Sequence, residues 1–361
     1  MCLDLSHDDS KSQKKNHKET GMDLFHEDHP AWLAQVDEAI IDPEQAIIDP
    51  HHHLWPDMMG DIYNVDELAL DTSAGHKVIG TLFIECGTCY REDGPEQEKP
   101  LGETEYVLAQ AARIKALNLG APILGMVGHI DLRDTSTLDA TLDQHIALAG
   151  DFFKGIRHAG ASAREEDRES LLIPGAAPGD LYLLPEFQAG VRRLGERGLS
   201  YDTWHYHYQL GDYIALAKAC PDTTMILDHF STPLGVGSFA GQHDAIFDSW
   251  KDEMRELSSC PNVFLKLGGL AMPDNGFGWH LAERPPTSDE LLDAQGRWYK
   301  HALDCFGPSR CMFESNFPVD RLSLSYAVYY NAMKKLAADF SADEKDALFA
   351  GTARRVYRLI H

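Results

Sequence analysis

The sequence predicts a single-domain (β/α)8 TIM barrel, and three observations lead there. Short apolar runs alternate with amphipathic helical stretches eight times along the chain. Its length of 361 residues suits one large barrel as well as two medium domains. No Gly-x-Gly-x-x-Gly turn follows any run, which leaves a doubly wound dinucleotide fold without support.

The first run, 46–53, ends in three consecutive histidines. Side chains alternate along a strand, so His51 and His53 share one face and His52 takes the other. The second run, 78–85, closes on Glu85 and leads into a Glu-, Gly- and Pro-rich loop from Cys89, with a helix expected from Thr104. Run 123–130 carries His129 and precedes a helical pattern from Ser136. Run 152–158 ends in Arg157 and His158, with a helix from Leu184. Run 199–205 brings Asp202 and His205, with His207 just beyond and a helix from Leu210. Run 224–229 ends in Asp228 and His229, ahead of a helix from His243. Lys266 lies in run 263–267, before the longest unpatterned insert, which starts at Met272 and contains Trp279; a helix follows from Ser288. The last run, 311–315, holds Glu314, with Asn316 next in line.

A buried strand favours Val, Ile and Leu throughout. Ionisable residues gathered at the same end of many strands therefore cost stability unless they are paired or used. Two imidazoles on one strand face suit a shared metal ion or an oxyanion, and the C-terminal mouth of a barrel is where such chemistry sits. Long loops after the second and seventh strands would wall that mouth.

Composition narrows the partners. The formal charge of −25 repels phosphate backbones and anionic lipid, so nucleic acid and membrane are excluded. A small-molecule substrate is expected, and local arginines still allow an anionic one. Seven scattered cysteines fit a reducing compartment, and Cys86-x-x-Cys89 has no second pair with which to build a zinc ribbon. The opening has no apolar signal-like run, which makes a cytoplasmic location the expectation. Residues 1–25 read as a polar, disordered tail and 26–361 as the barrel domain. A homo-oligomer stays open.

The strings "IDPHHHLW", "KGIRH", "LDHFSTPLG", "KLGGLAMP" and "MFESNFPVD" together resemble the amidohydrolase-related branch of the amidohydrolase superfamily, from about Ile47 to Leu359. The resemblance implies hydrolysis of a lactone or similar cyclic ester, here expected on a small carboxylate-bearing substrate, with metal-dependent nonoxidative decarboxylases of aromatic or unsaturated acids as more distant relatives. It matches His51, His53 and His229 to the catalytic and metal-ligating histidines of the family. Zinc or manganese is the implied cofactor, and a metal-free mode with protonated imidazoles as oxyanion donors is the other option. On the eighth strand the family ordinarily carries an aspartate where this chain has Asn316. An amide cannot accept a proton from water, so a carboxylate from Glu314, Asp320 or Glu85 is expected to replace it. The same departure leaves room for a barrel that has lost catalysis.

For substrate contacts the expected residues are Trp55, Glu85, Arg157, His158, His207 and Trp279. Arg157 offers a planar donor pair to a carboxylate or, alternatively, a salt bridge to a neighbouring strand-end acid. The aromatic side chains would form a wall for a ring-shaped substrate.

Overall fold

A computed structural model describes residues 28–58 and 61–359; the expected N-terminal tail lies outside the described residues. Eight parallel strands form one sheet in sequence order: β1 (Ala46–His52), β2 (Lys77–Ile84), β3 (Ile123–Gly128), β4 (Phe153–Arg157), β5 (Ser200–Thr203), β6 (Met225–Leu227), β7 (Val263–Leu267) and β8 (Cys311–Phe313). Eight helices follow them: α1 (Val65–Thr72), α2 (Leu101–Leu117), α3 (Leu138–Ala149), α4 (Pro185–Glu196), α5 (Leu210–Ala219), α6 (His243–Leu257), α7 (Ser288–Phe306) and α8 (Tyr326–Leu336). This is the predicted (β/α)8 barrel.

The barrel closes just past the strand ends. His53 N donates to Phe317 O at 2.8 Å and Asn316 N donates to His51 O at 3.0 Å, so the last strand meets the first through residues that also carry site side chains. Strand alternation sorts the core into two layers. Ile48, Leu82, Ile84, Val127, Ile226 and Met312 fill the interior together with Val356, Tyr357 and Leu359 from the C-terminal segment. Ile47, Phe83, Met126 and Ile156 face the helices instead. Lys154, at the start of β4, donates to Arg358 O at 3.3 Å, which places the C-terminal plug at the end of the barrel opposite the histidines.

Two helices had no sequence expectation, α1 and α8. Asn64 and Glu67 form a capping box at α1, with Asp66 N donating to Asn64 Oδ1 and Asn64 N to Glu67 Oε2, both at 2.9 Å. Ser325 caps α8, which buries Tyr326, Tyr329, Tyr330 and Met333. A small hairpin of Trp55–Met58 and Asp61–Tyr63 also follows β1 and folds Trp55 back toward the mouth. Among the described residues no helix is long and apolar enough to cross a membrane.

Candidate active site and metal centre

At the C-terminal mouth lies a cavity of about 460 Å³, lined by His53, His229, Asn316, Glu85, Arg157, Asp274 and a set of apolar side chains. His51 sits beneath it, fully buried. The alternation expected along β1 is present: His51 Nε2 and His53 Nε2 are 3.2 Å apart, while His52 packs its ring edge-on against Phe83.

Each imidazole is held from behind. His53 Nδ1 bonds Ile84 O at 2.8 Å, and His229 Nδ1 bonds Glu314 Oε1 at 2.7 Å. The other oxygen, Glu314 Oε2, is 2.8 Å from His51 Nδ1. Glu314 thus hydrogen-bonds His229 and stands at ion-pair distance from His51, whose Nδ1 is also 3.3 Å from Lys266 Nζ, while His53 Nε2 pairs with His51 Nε2. Burial keeps all three rings neutral. It holds His51 and His53 well below the usual histidine range and pushes His229 down to about 3. Burial likewise raises Glu314 above the usual carboxylate value.

The backbone around these groups is unusual. His229, Phe230, Ser231 and Thr232 all have positive φ, between 36° and 61°, and Asn316 has φ 55°. Non-glycine residues rarely occupy that region, and such strain persists where packing over-determines it. The glycine pair after β7 makes the room. A Cβ on Gly269 would lie 2.3 Å from His229 Nδ1, and one on Gly268 would lie 2.5 Å from Glu314 Cγ. Only glycine lets that turn pass so close to both side chains.

Asn316 is fixed by its amide nitrogen, which donates to Asp320 Oδ2 at 2.6 Å. Its Oδ1 is buried with no hydrogen-bond partner among the described residues. Asp320 also accepts from Ala271 N at 2.7 Å, and burial raises its carboxyl to about 8. Glu314 and Asp320 therefore serve as props behind the site, while Glu85 lies on the cavity wall itself.

The residues fit a divalent cation. His51, His229 and Glu314 bring one ligand atom each within 4.8 Å of one another. The 3.2 Å between His51 Nε2 and His53 Nε2 is close to the roughly 3.3 Å spanned by two nitrogens on one tetrahedral ion with bonds of about 2.05 Å. Three neutral imidazoles and an amide oxygen lacking a partner make a donor set of the right chemistry. Of the two arrangements, we favour the three histidines as ligands, because Glu314 already bonds the far nitrogen of His229.

Arg157 takes the alternative anticipated for it. Its Nε donates to Glu85 Oε1 at 2.8 Å, a further N–H reaches Glu85 O, and Nη1 lies 3.8 Å from Asp228 Oδ2. Trp55 and Glu85 line the cavity as expected. His158, His207 and Trp279 do not. His158 Nδ1 accepts from Leu132 N at 3.1 Å and its ring packs on Phe187. His207 Nδ1 accepts from Leu234 N at 3.2 Å, with its ring edge-on to Phe239. Trp279 borders a separate shallow depression beside Arg284 and Glu290. These three residues, expected as substrate contacts, lie outside the lining of this cavity.

Sequence reasoning missed Asp274, Trp204 and the segment 172–174, all of which line the cavity. Asp274 lies in the insert after β7 that was expected to wall the site. The 172–174 segment belongs to the 158–184 connection, longer than that insert and without any chemistry-bearing signal.

Comparison with known proteins identifies the family. The chain is 30% identical over 335 residues to the uncharacterized protein y4mH of Sinorhizobium fredii, covering 87% of this chain and 99% of that one. It is 33% identical over 175 residues to an L-fucono-1,5-lactonase of Burkholderia multivorans, covering 48% of this chain and 56% of the relative. A crystal structure of an amidohydrolase from Burkholderia multivorans with bound zinc superposes with a TM-score of 0.65 at 25% identity, covering 87% of this chain and all (100%) of that one. Residues 48–359 match the amidohydrolase family, and the chain belongs to it.

Proposed function

We propose that this chain is a metal-dependent hydrolase that opens a lactone or similar cyclic ester. The observation that carries the reading is the convergence of three histidines: His53 and His229 line one cavity, and His51 lies buried beneath it with its Nε2 3.2 Å from that of His53. Neutral rings suit metal ligation and oppose the metal-free mode, which needs protonated imidazoles as oxyanion donors.

The three histidines would hold the cation, and zinc is favoured over manganese because imidazole donors suit it and the similar Burkholderia multivorans amidohydrolase binds it. Such an ion, when bound, supplies Lewis acidity toward the ester carbonyl and lowers the pKa of water. Glu314 keeps His51 and His229 in register. Asn316 Oδ1, free of any partner among the described residues, accepts a hydrogen bond from the attacking water and orients it without taking its proton. That proton passes to Glu85, which follows Ile84, the residue whose carbonyl anchors His53. Arg157 holds Glu85 in place.

The test is His53→Ala with a panel of lactones. We expect loss of turnover by at least a hundredfold, with circular dichroism and melting temperature nearly unchanged. A large fall in melting temperature would place the histidine in a structural role, and carbon dioxide release without ring opening would move the chain to decarboxylation.

A further inference from the structure

We infer that the substrate is an uncharged lactone bearing an apolar substituent, neither a polyhydroxylated sugar lactone nor a carboxylate-bearing one. This rests on the lactone-hydrolase reading and deepens it. Two observations carry it: the apolar part of the cavity lining, and the charge already present at the mouth.

The wall is built from Leu172, Ile173, Pro174, Trp204, Met272 and Val319. Ile173 is 37% exposed although it faces the cavity, and Pro174 beside it is exposed too. Apolar side chains left open around a concave site lose water when a ligand covers them, and an apolar ligand gains most from that. A ring carrying several hydroxyls would have to leave those that meet Leu172, Ile173, Pro174, Met272 and Val319 unpaired, while Thr232, Asn316 and Glu85 could serve only the remainder of the ring.

The segment is held in this position by dedicated hydrogen bonds. Leu172 N donates to Asp274 Oδ1 at 2.6 Å and Ile173 N to Oδ2 at 3.4 Å. Tyr206 Oη donates to Ile173 O at 3.1 Å and accepts from Gly175 N at 2.9 Å. Four bonds on consecutive backbone groups fix three apolar side chains over the site, so the wall is preformed. Asp274 and Tyr206 act here as positioning residues.

The lining side chains offer an anionic substrate no free cationic partner. Arg157 is the one arginine or lysine that lines the cavity among the described residues, and its guanidinium is already bound by Glu85 through the side chain and the backbone carbonyl. Asp274 adds a second carboxyl. A substrate carboxylate would meet no unpaired arginine or lysine and would stand among acids.

The experiment compares kcat/KM of the zinc-loaded, full-length protein on three six-membered lactones: δ-decalactone, glucono-δ-lactone and a δ-lactone carrying a carboxylate. We expect δ-decalactone to be preferred over both by at least tenfold, and Ile173→Asn, at a half-open surface position, to shrink that preference by about tenfold. Preference for the sugar lactone or the carboxylate-bearing lactone overturns this inference and leaves the hydrolase reading standing. An unaltered preference in Ile173→Asn overturns the role of the wall. If no lactone is opened, the hydrolase reading itself fails, and this inference with it.

Discussion

Glu314 grips His229 and His51 at once, with Oε1 2.7 Å from one Nδ1 and Oε2 2.8 Å from the other. A carboxylate behind a histidine fixes the ring and strengthens it as a donor; here one group does so for two rings from a fully buried position. Glu314→Gln keeps the shape but replaces one oxygen with an N–H donor. We expect zinc affinity to fall by about 10–100-fold, read by competition titration with a chromogenic chelator. Unchanged affinity would show that the pair is structural only.

Asn316 is the departure from family pattern that the sequence made visible, and the structure gives it a defined orientation. Its amide nitrogen is committed to Asp320, whose carboxyl is raised by burial to about 8 and so carries a proton at neutral pH. Asn316→Asp can accept that proton's hydrogen bond and still present an anionic oxygen to the cavity. The variant is expected to stay folded and to bind divalent metal more tightly by titration calorimetry. No gain in affinity would show that an oxygen at position 316 does not reach the bound ion.

Much of this architecture is legible in the chain because barrel strands combine apolar runs with polar ends. All eight runs are strands, and His51 and His53 share a face as alternation requires. Most of the strands are shorter than their runs, however. β6 stops at Leu227 and β8 at Phe313, because His229 and Asn316 take positive φ that no strand tolerates and that residue type does not announce. Contacts beyond a bend are equally silent: His207 has the composition of a site residue, yet Leu234 N claims its free nitrogen. Conversely, Ile173 carries no chemical signal and is placed over the cavity by accepting a hydrogen bond from Tyr206 and donating one to Asp274, both distant in sequence.

Arg157 and Glu85 form a buried ion pair, the arginine 6% exposed and the glutamate 9%. Removing one partner strands the other charge. Glu85→Gln is expected to lower unfolding free energy by about 3 kcal/mol in urea titration, and the double variant Arg157→Met, Glu85→Gln to recover part of it. Additive losses would show that the two groups do not depend on each other.

Asp274 gives a pH signature. Burial raises its carboxyl from 3.8 to about 6, so the folded state binds this proton more tightly than the unfolded chain. The ionised form is therefore a penalty above pH 6 that is relieved as pH falls from about 6 to about 4. Compared with Asp274→Asn, the native protein should gain about 3 kcal/mol of relative stability across that window. A stability difference independent of pH would mean that Asp274 is not held as a strained carboxylate.

The central claim is that His51, His53 and His229 hold a catalytic divalent ion at the cavity floor. Metal content by plasma mass spectrometry, on untagged protein purified without chelator and assayed beside a stripped and reloaded sample, tests it most directly. The account predicts about one zinc per chain, loss of lactone opening on stripping and its return on reloading. Full activity in protein shown to be free of metal would contradict it.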